Sequence, residues 1–180
     1  MRVTAIGVDP LRGLPLVTLS DEAGGVTIEI EVGLPDAQAI ASELRGVVME
    51  RPATHDLLKA IVEACGGRVV AVELREVRAG AIASSIILQV IGSPPVEVEA
   101  RPSDALALAL RAGATVRVAR KVIEWSRRRE ARRRREAATF GDWGDPGALG
   151  EVDAAAEADL FPATFLLEAL PDEEFGKWKM

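Results

Sequence analysis

The sequence predicts an α+β protein. Two strand-strand-strand-helix units form a mostly antiparallel sheet packed by helices, and a charged helix and an acidic tail follow. Three observations predict it. Apolar residues alternate with polar ones over short runs and then switch to helical spacing. That succession occurs twice in the same order. Charge is separated sharply along the chain, with the strongly basic and strongly acidic stretches both in the last third.

The elements follow in order. Val3–Val8 reads as a strand closed by a turn at Asp9, Pro10 and Gly13. Leu14–Leu19 and Val26–Val32 read as the next two strands, and the second alternates so cleanly that one face must be wet. Asp36 to Leu44 is Ala-rich with apolar residues at helical spacing. Thr54 to Ala64 reads as a helix with Leu57, Leu58, Ile61 and Val62 on one face, stopped by Gly66-Gly67. Three strands are then expected over Val69–Leu74, Ile82–Ile91 and Val96–Ala100. A helix over Asp104–Arg111 and a short strand at Val116–Val118 come next, and a further helix begins at Ala119.

Sliding the chain by 68 residues lays Ile28-Glu29-Ile30-Glu31 on Val96-Glu97-Val98-Glu99. It also lays Asp36 to Ala41 on Asp104 to Ala109, and six of those fourteen positions, 28 to 41, are identical. A duplicated unit explains this, with Ala-rich helix faces allowing close packing.

Bulk properties narrow the function classes. Apolar residues make up 48% and charged residues 28% of the 180, the balance of a globular protein. No apolar run approaches the ~18 residues of a membrane span. The first residues read straight into a strand without the apolar core of a signal peptide, and Cys65 is the only cysteine. A cytoplasmic protein without an internal disulfide is therefore expected.

Residues 119–136 carry 9 basic and 3 acidic side chains, whereas residues 137–180 carry 2 basic and 10 acidic ones. The basic arm, 120–135, is a candidate nucleic-acid contact, and the acidic tail a candidate mask for it. Every Phe and Trp lies at or beyond Trp125, so the preceding body offers no ring on which bases could stack. The expected organisation is a domain over 1–125, a basic helical arm over 126–139, and an acidic, partly apolar tail over 140–180.

Two strings stand out, Arg51-Pro52-Ala53-Thr54-His55-Asp56-Leu57-Leu58 and Arg101-Pro102-Ser103-Asp104-Ala105-Leu106-Ala107-Leu108-Ala109. Each places Arg-Pro before a helix whose first turn holds an acid. Capping accounts for part of this. Thr54 and Ser103 are good N-cap types, the prolines lie where a missing N–H costs nothing, and Asp56 and Asp104 favour the positive end of the helix dipole. The preceding arginine could pair with the acid in each case. Capping gives His55, the one histidine, no duty.

These strings resemble those of the bifunctional nuclease family. Val32 to Ala41 resembles its upstream segment, with Asp36 where glutamate is usual. The resemblance covers about residues 1–125. It implies an α+β fold, DNase or RNase activity, oligomeric assembly (a homodimer is expected) and a site around His55, Asp56 and Asp104. The chain departs from the family at Ala81-Ile82-Ala83, where an aromatic pair followed by alanine is usual.

A metal-dependent nuclease needs carboxylates converging on Mg²⁺ or Mn²⁺ to activate water. Asp56, Asp104 and Asp36 are the candidate ligands, and His55 is the candidate general base. Arg51 and Arg101, with Ser103, would hold phosphate. One constraint is already visible. Adjacent His55 and Asp56 diverge by about 100° on a helix and cannot both face one ion without an irregular turn. An HD-type phosphohydrolase is excluded because it needs several histidines. A reading of a different class remains open, a non-catalytic oligomeric module that binds a protein or small ligand between its halves.

Overall fold

Alternating apolar residues build the first sheet. Strands β1 (Arg2–Val8), β2 (Pro15–Ser20) and β3 (Thr27–Glu31) form an antiparallel meander, with Val17, Leu19 and Ile28 turned to the core and almost wholly buried. Helix α1 (Leu34–Leu44) follows and buries Ala37 and Ile40. The second half repeats the order. Strands β4 (Gly67–Arg78), β5 (Ala81–Val90) and β6 (Val96–Ala100) form another meander, followed by helix α3 (Pro102–Ala112). Helix α2 (Thr54–Ala64) lies between the halves in sequence, strand β7 (Thr115–Val118) follows α3, and helix α4 (Arg120–Phe140) comes last. The computed structural model describes residues 1–9, 12–21 and 25–140, so the expected acidic tail with its apolar patches lies outside the described residues.

The fold is α+β with antiparallel meanders, as expected, but the strands are divided between two sheets where one was anticipated. The second sheet has the order β6-β5-β4-β7, and β7 pairs with β4 in parallel. With β5 on one side and β7 on the other, β4 has no free edge for β1. The first sheet meets this region through the Met1 ammonium, which donates to the Val116 carbonyl at 2.9 Å.

Strand β4 runs four residues past its expected end at Leu74. The charged Arg75-Glu76 pair does not stop it: a bulge lies between Leu74 and Glu76, and beyond it Val77 and its register partner Ile82 still pack against the core. Arg75 pairs with Glu73 and Glu97, and Glu76 pairs with Arg78 and Lys121. The β4–β5 pair closes through Ala79 and Gly80, both at positive φ (47° and 81°), as a two-residue hairpin turn demands.

Helix α3 is the axis of the molecule. Ala105 to Ala109 are all buried, and small residues let α1, α2, β4 and β5 approach it closely. Its C-cap Gly113 adopts the left-handed φ of 61° that a residue with Cβ rarely takes. Helix α2 behaves differently. Leu57, Leu58 and Ile61 are 53%, 43% and 51% exposed, and Val48 and Met49 just before it are also exposed.

Helix α4 runs without interruption through the boundary expected at residue 125. Val122 is fully buried, and Ser126 hydrogen-bonds to both the N–H and the carbonyl of Glu29 (3.3 and 3.1 Å). One turn on, Arg129 pairs with Glu31, and Arg133 pairs with Glu29 and, at 3.4 Å, with Asp9. The near face of the basic arm is thus neutralised by acids of the β1–β3 half. Among the described residues no helix is long and apolar enough to cross a membrane.

Candidate active site

Three helices begin close together, and each carries an aspartate at its third position: Asp36 in α1, Asp56 in α2 and Asp104 in α3. The N-caps are Gly33, Ala53 and Arg101. Thr54 and Ser103, expected as caps, stand one residue inside the first turn or deeper, and neither side chain caps its helix. The prolines explain the difference at α3 and α1. Pro102 and Pro35 are themselves within the first two helical positions, which fixes their φ at a helical value and moves the cap upstream. At α2 the Asp56 carboxylate reaches back and accepts the Ala53 N–H at 2.9 Å, the acidic half of a capping box.

From these starts two linked clusters form. In the first, Arg101 grips Asp104 with two hydrogen bonds, Nε to Oδ2 at 2.7 Å and Nη2 to Oδ1 at 2.9 Å. The same Nη2 lies 3.5 Å from Asp36 Oδ1. On the other side of Asp104, Oδ1 faces His55 Nε2 at 3.5 Å, an ion-pair separation rather than a tight hydrogen bond. The Arg101 side chain is 67% exposed and that of His55 only 10%. A solvent-facing guanidinium, a carboxylate and a largely covered imidazole therefore stand in a row. The two hydrogen bonds from Arg101 hold the Asp104 carboxyl below the ordinary carboxylate value. Partial burial opposes that shift, and the Arg101 charge and His55 add to it.

The second cluster centres on a residue that sequence reasoning missed. Arg111, whose side chain is 4% exposed, donates through Nε to Asp56 Oδ1 at 2.6 Å and lies 3.8 Å from Glu43. Its Nη1 donates to the Ala107 carbonyl and its Nη2 to the Ala39 carbonyl, both at 3.1 Å. Burial works against ionisation of Asp56, yet the Ala53 N–H and the Arg111 guanidinium outweigh it and lower its pKa. A signal for Arg111 was present. It stands four residues after Ala107 and seven after Asp104 on the face of α3 that packs inward, where an arginine must have partners.

The expected site residues therefore fall into three groups. Asp36, Arg101, Asp104 and His55 come together. Asp56 is turned to Arg111, in keeping with the divergence expected between adjacent His55 and Asp56. Arg51 is exposed and has no ion pair among those found in the described residues, and Ser103 is buried at 6% exposure. The donor set as folded does not fit Mg²⁺ or Mn²⁺. Arg101 stands between Asp36 and Asp104 where a cation would have to sit, and Arg111 occupies Asp56. Among the described residues no three His, Cys, Asp or Glu side chains are placed to share an ion.

Residues 17–130 match the model of the bifunctional nuclease domain. This chain belongs to that family. It is also similar to two proteins of Mycobacterium tuberculosis, Uncharacterized protein Rv1829 (strain ATCC 25618 / H37Rv) and Uncharacterized protein MT1877 (strain CDC 1551 / Oshkosh). Each is 32% identical over 123 residues, which is 68% of this chain and 73% of the relative. The family match runs through β2 to α4 as far as Glu130, so it includes all three helix starts and the first half of the basic arm.

Proposed function

We propose that this bifunctional nuclease domain cleaves RNA by acid–base chemistry, with His55 as base, Asp104 as its positioning residue and Arg101 as the phosphate ligand. The observation that carries the reading is the row Arg101–Asp104–His55. Asp104 facing Nε2 favours the proton on that nitrogen and leaves Nδ1 as the basic one. His55 then takes the proton from a ribose 2′-hydroxyl. The 2′-oxygen bonds to phosphorus, the bond from phosphorus to the 5′-oxygen breaks, and the departing oxygen takes a proton from water. Arg101 donates N–H groups to the non-bridging oxygens as charge develops on them. DNA has no 2′-hydroxyl, so the same groups would need water as nucleophile, and slower DNA cleavage is expected.

The test is hydrolysis of fluorescent RNA and DNA in EDTA, Mg²⁺ or Mn²⁺, with analysis of the product ends. RNA cleavage in EDTA, leaving 2′,3′-cyclic phosphates and lost in His55→Ala and Arg101→Ala, is the expected result. Cleavage that needs metal would sink this mechanism and favour Mg²⁺ or Mn²⁺ on Asp36, Asp104 and Asp56 after displacement of the arginines. No cleavage of either polymer would favour the non-catalytic binding module.

One observation speaks for an assembly role in either case. The exposed Leu57, Leu58 and Ile61 of α2 form an apolar face beside Val48 and Met49. We place the homodimer contact there, and Leu58→Glu is expected to convert a dimer to a monomer by light scattering. An unchanged mass would move the contact elsewhere.

A further inference from the structure

The geometry points to a nucleotide-binding site beneath helix α4, with the base held against Trp125 and the phosphate on the arginines of the helix. A cavity of about 250 Å³ lies between α4, β3 and the turn into β5, and its apolar wall is Ile30, Ala81, Ile82, Pro102 and Trp125. A second, of about 390 Å³, shares Gly80, Trp125, Arg129 and Arg133 with the first and adds Arg12, Arg128, Arg132 and Glu136. The pair is of the size small-molecule sites have, roughly 300–1,000 Å³. It is apolar at one end and strongly cationic at the other.

The absence of rings from the body argued against base stacking at the level of sequence. The fold supplies one from the arm. Trp125 lines the cavity together with Gly80 and Ala81, and the Arg129 guanidinium lies 5.2 Å from its ring centroid. Flat surfaces of this kind accept a nucleobase without demanding a particular one.

The inner end also carries acceptors. Glu29 and Glu31 line it, and Glu31 Oε1 is buried without a hydrogen-bond donor, its nearest recorded cation being Arg12 at 3.5 Å. Arg129 and Arg133 already hold Glu31 and Glu29 through Oε2, so what the cavity lacks is an N–H donor for Glu31 Oε1, which neither an acyl chain nor inorganic phosphate offers. A base edge bearing N–H groups supplies it, and guanine, with two adjacent donors, does so best. At the outer end Arg128 is exposed without an ion pair among those found in the described residues, so its guanidinium is available to a phosphate.

The inference goes beyond the nuclease reading and does not depend on it, because it is measured as binding without turnover. The full chain is titrated by calorimetry in EDTA with guanosine 5′-monophosphate, ribose 5-phosphate and pyrophosphate. Guanosine 5′-monophosphate is expected to bind about ten-fold more tightly than either base-free ligand. Ala81→Phe, which fills the cavity, and Arg128→Gln, an exposed position, should each weaken it about five-fold or more, with unfolding temperature unchanged. A guanine-containing single-stranded tetranucleotide binding more tightly than the mononucleotide would assign the site to a strand, and equal binding would assign it to free nucleotide. Equal affinity for guanosine 5′-monophosphate and ribose 5-phosphate, or affinity untouched by Ala81→Phe, would overturn the proposal. His55→Ala should bind as the wild type does, which separates failure of this site from failure of the nuclease.

Discussion

Arg111→Ala is expected to cost about 3 kcal/mol of folding stability, measured as a lower urea midpoint with an unchanged slope. Arg111 sits near the end of α3 with its side chain 4% exposed, and it donates to partners on all three site helices: the Ala39 carbonyl of α1, Asp56 of α2 and the Ala107 carbonyl of α3 itself. Truncation leaves Asp56 without its cation and the Ala39 carbonyl without this donor. Removing one partner of a buried pair costs roughly 3–5 kcal/mol. The lower end applies because Asp56 and Glu43 are each 37% exposed, so water screens part of the loss. Arg111→Lys should recover less than half of it, since one ammonium cannot point at Asp56 and two carbonyls together. A loss under about 0.5 kcal/mol would mean that the Ala and Leu face of α3 holds these helices without the arginine.

Local pattern alone makes most of the fold legible. Alternation placed β2 and β3, the Ala-rich spacing placed α1 and α3, and Gly66, at φ 74°, ends α2 where expected. What escaped was long-range. Nothing local to Thr115–Val118 says that this strand pairs in parallel with β4 and so separates the two sheets. Nothing local to Ser126, Arg129 or Arg133 names Glu29, Glu31 and Asp9, about 100 residues earlier or more, as their partners. In sequence the arm reads as a contact for nucleic acid or for the acidic tail, because its charge is counted along the chain and not in space.

The candidate site divides in the same way. Arg101 and Asp104 are three residues apart across a helix start, and their pairing follows from that spacing. The parallel expectation for Arg51 and Asp56 fails in the structure. Asp56 is taken by Arg111, 55 residues further on, and Arg51 stays in solvent. Asp36 and Asp104 stand at the same place in α1 and α3, and one guanidinium lies close to both, which no local argument could supply.

Asp104→Asn is expected to lower RNA cleavage about 100-fold, the range in which a positioned acid–base partner acts. An amide no longer fixes the His55 tautomer with a charge, and it offers Arg101 one acceptor oxygen instead of two. A merely structural aspartate would leave kcat of the folded variant untouched, whereas loss of the carboxylate that orients the imidazole should lower kcat with little change in KM. Stability gives an independent check of sign. Arg101 holds the folded Asp104 carboxyl below its usual value near 3.9, so its contribution is fully present above about pH 5 and is lost as the pH falls through the folded value. The difference in urea midpoint between wild type and Asp104→Asn should therefore be largest at neutral pH and close below about pH 4. Because the Asp104 side chain is 33% exposed, that difference should stay near 1 kcal/mol. A variant that loses stability on this schedule but cleaves RNA at the wild-type rate would leave Asp104 as a helix-start anchor for Arg101 with no part in positioning His55.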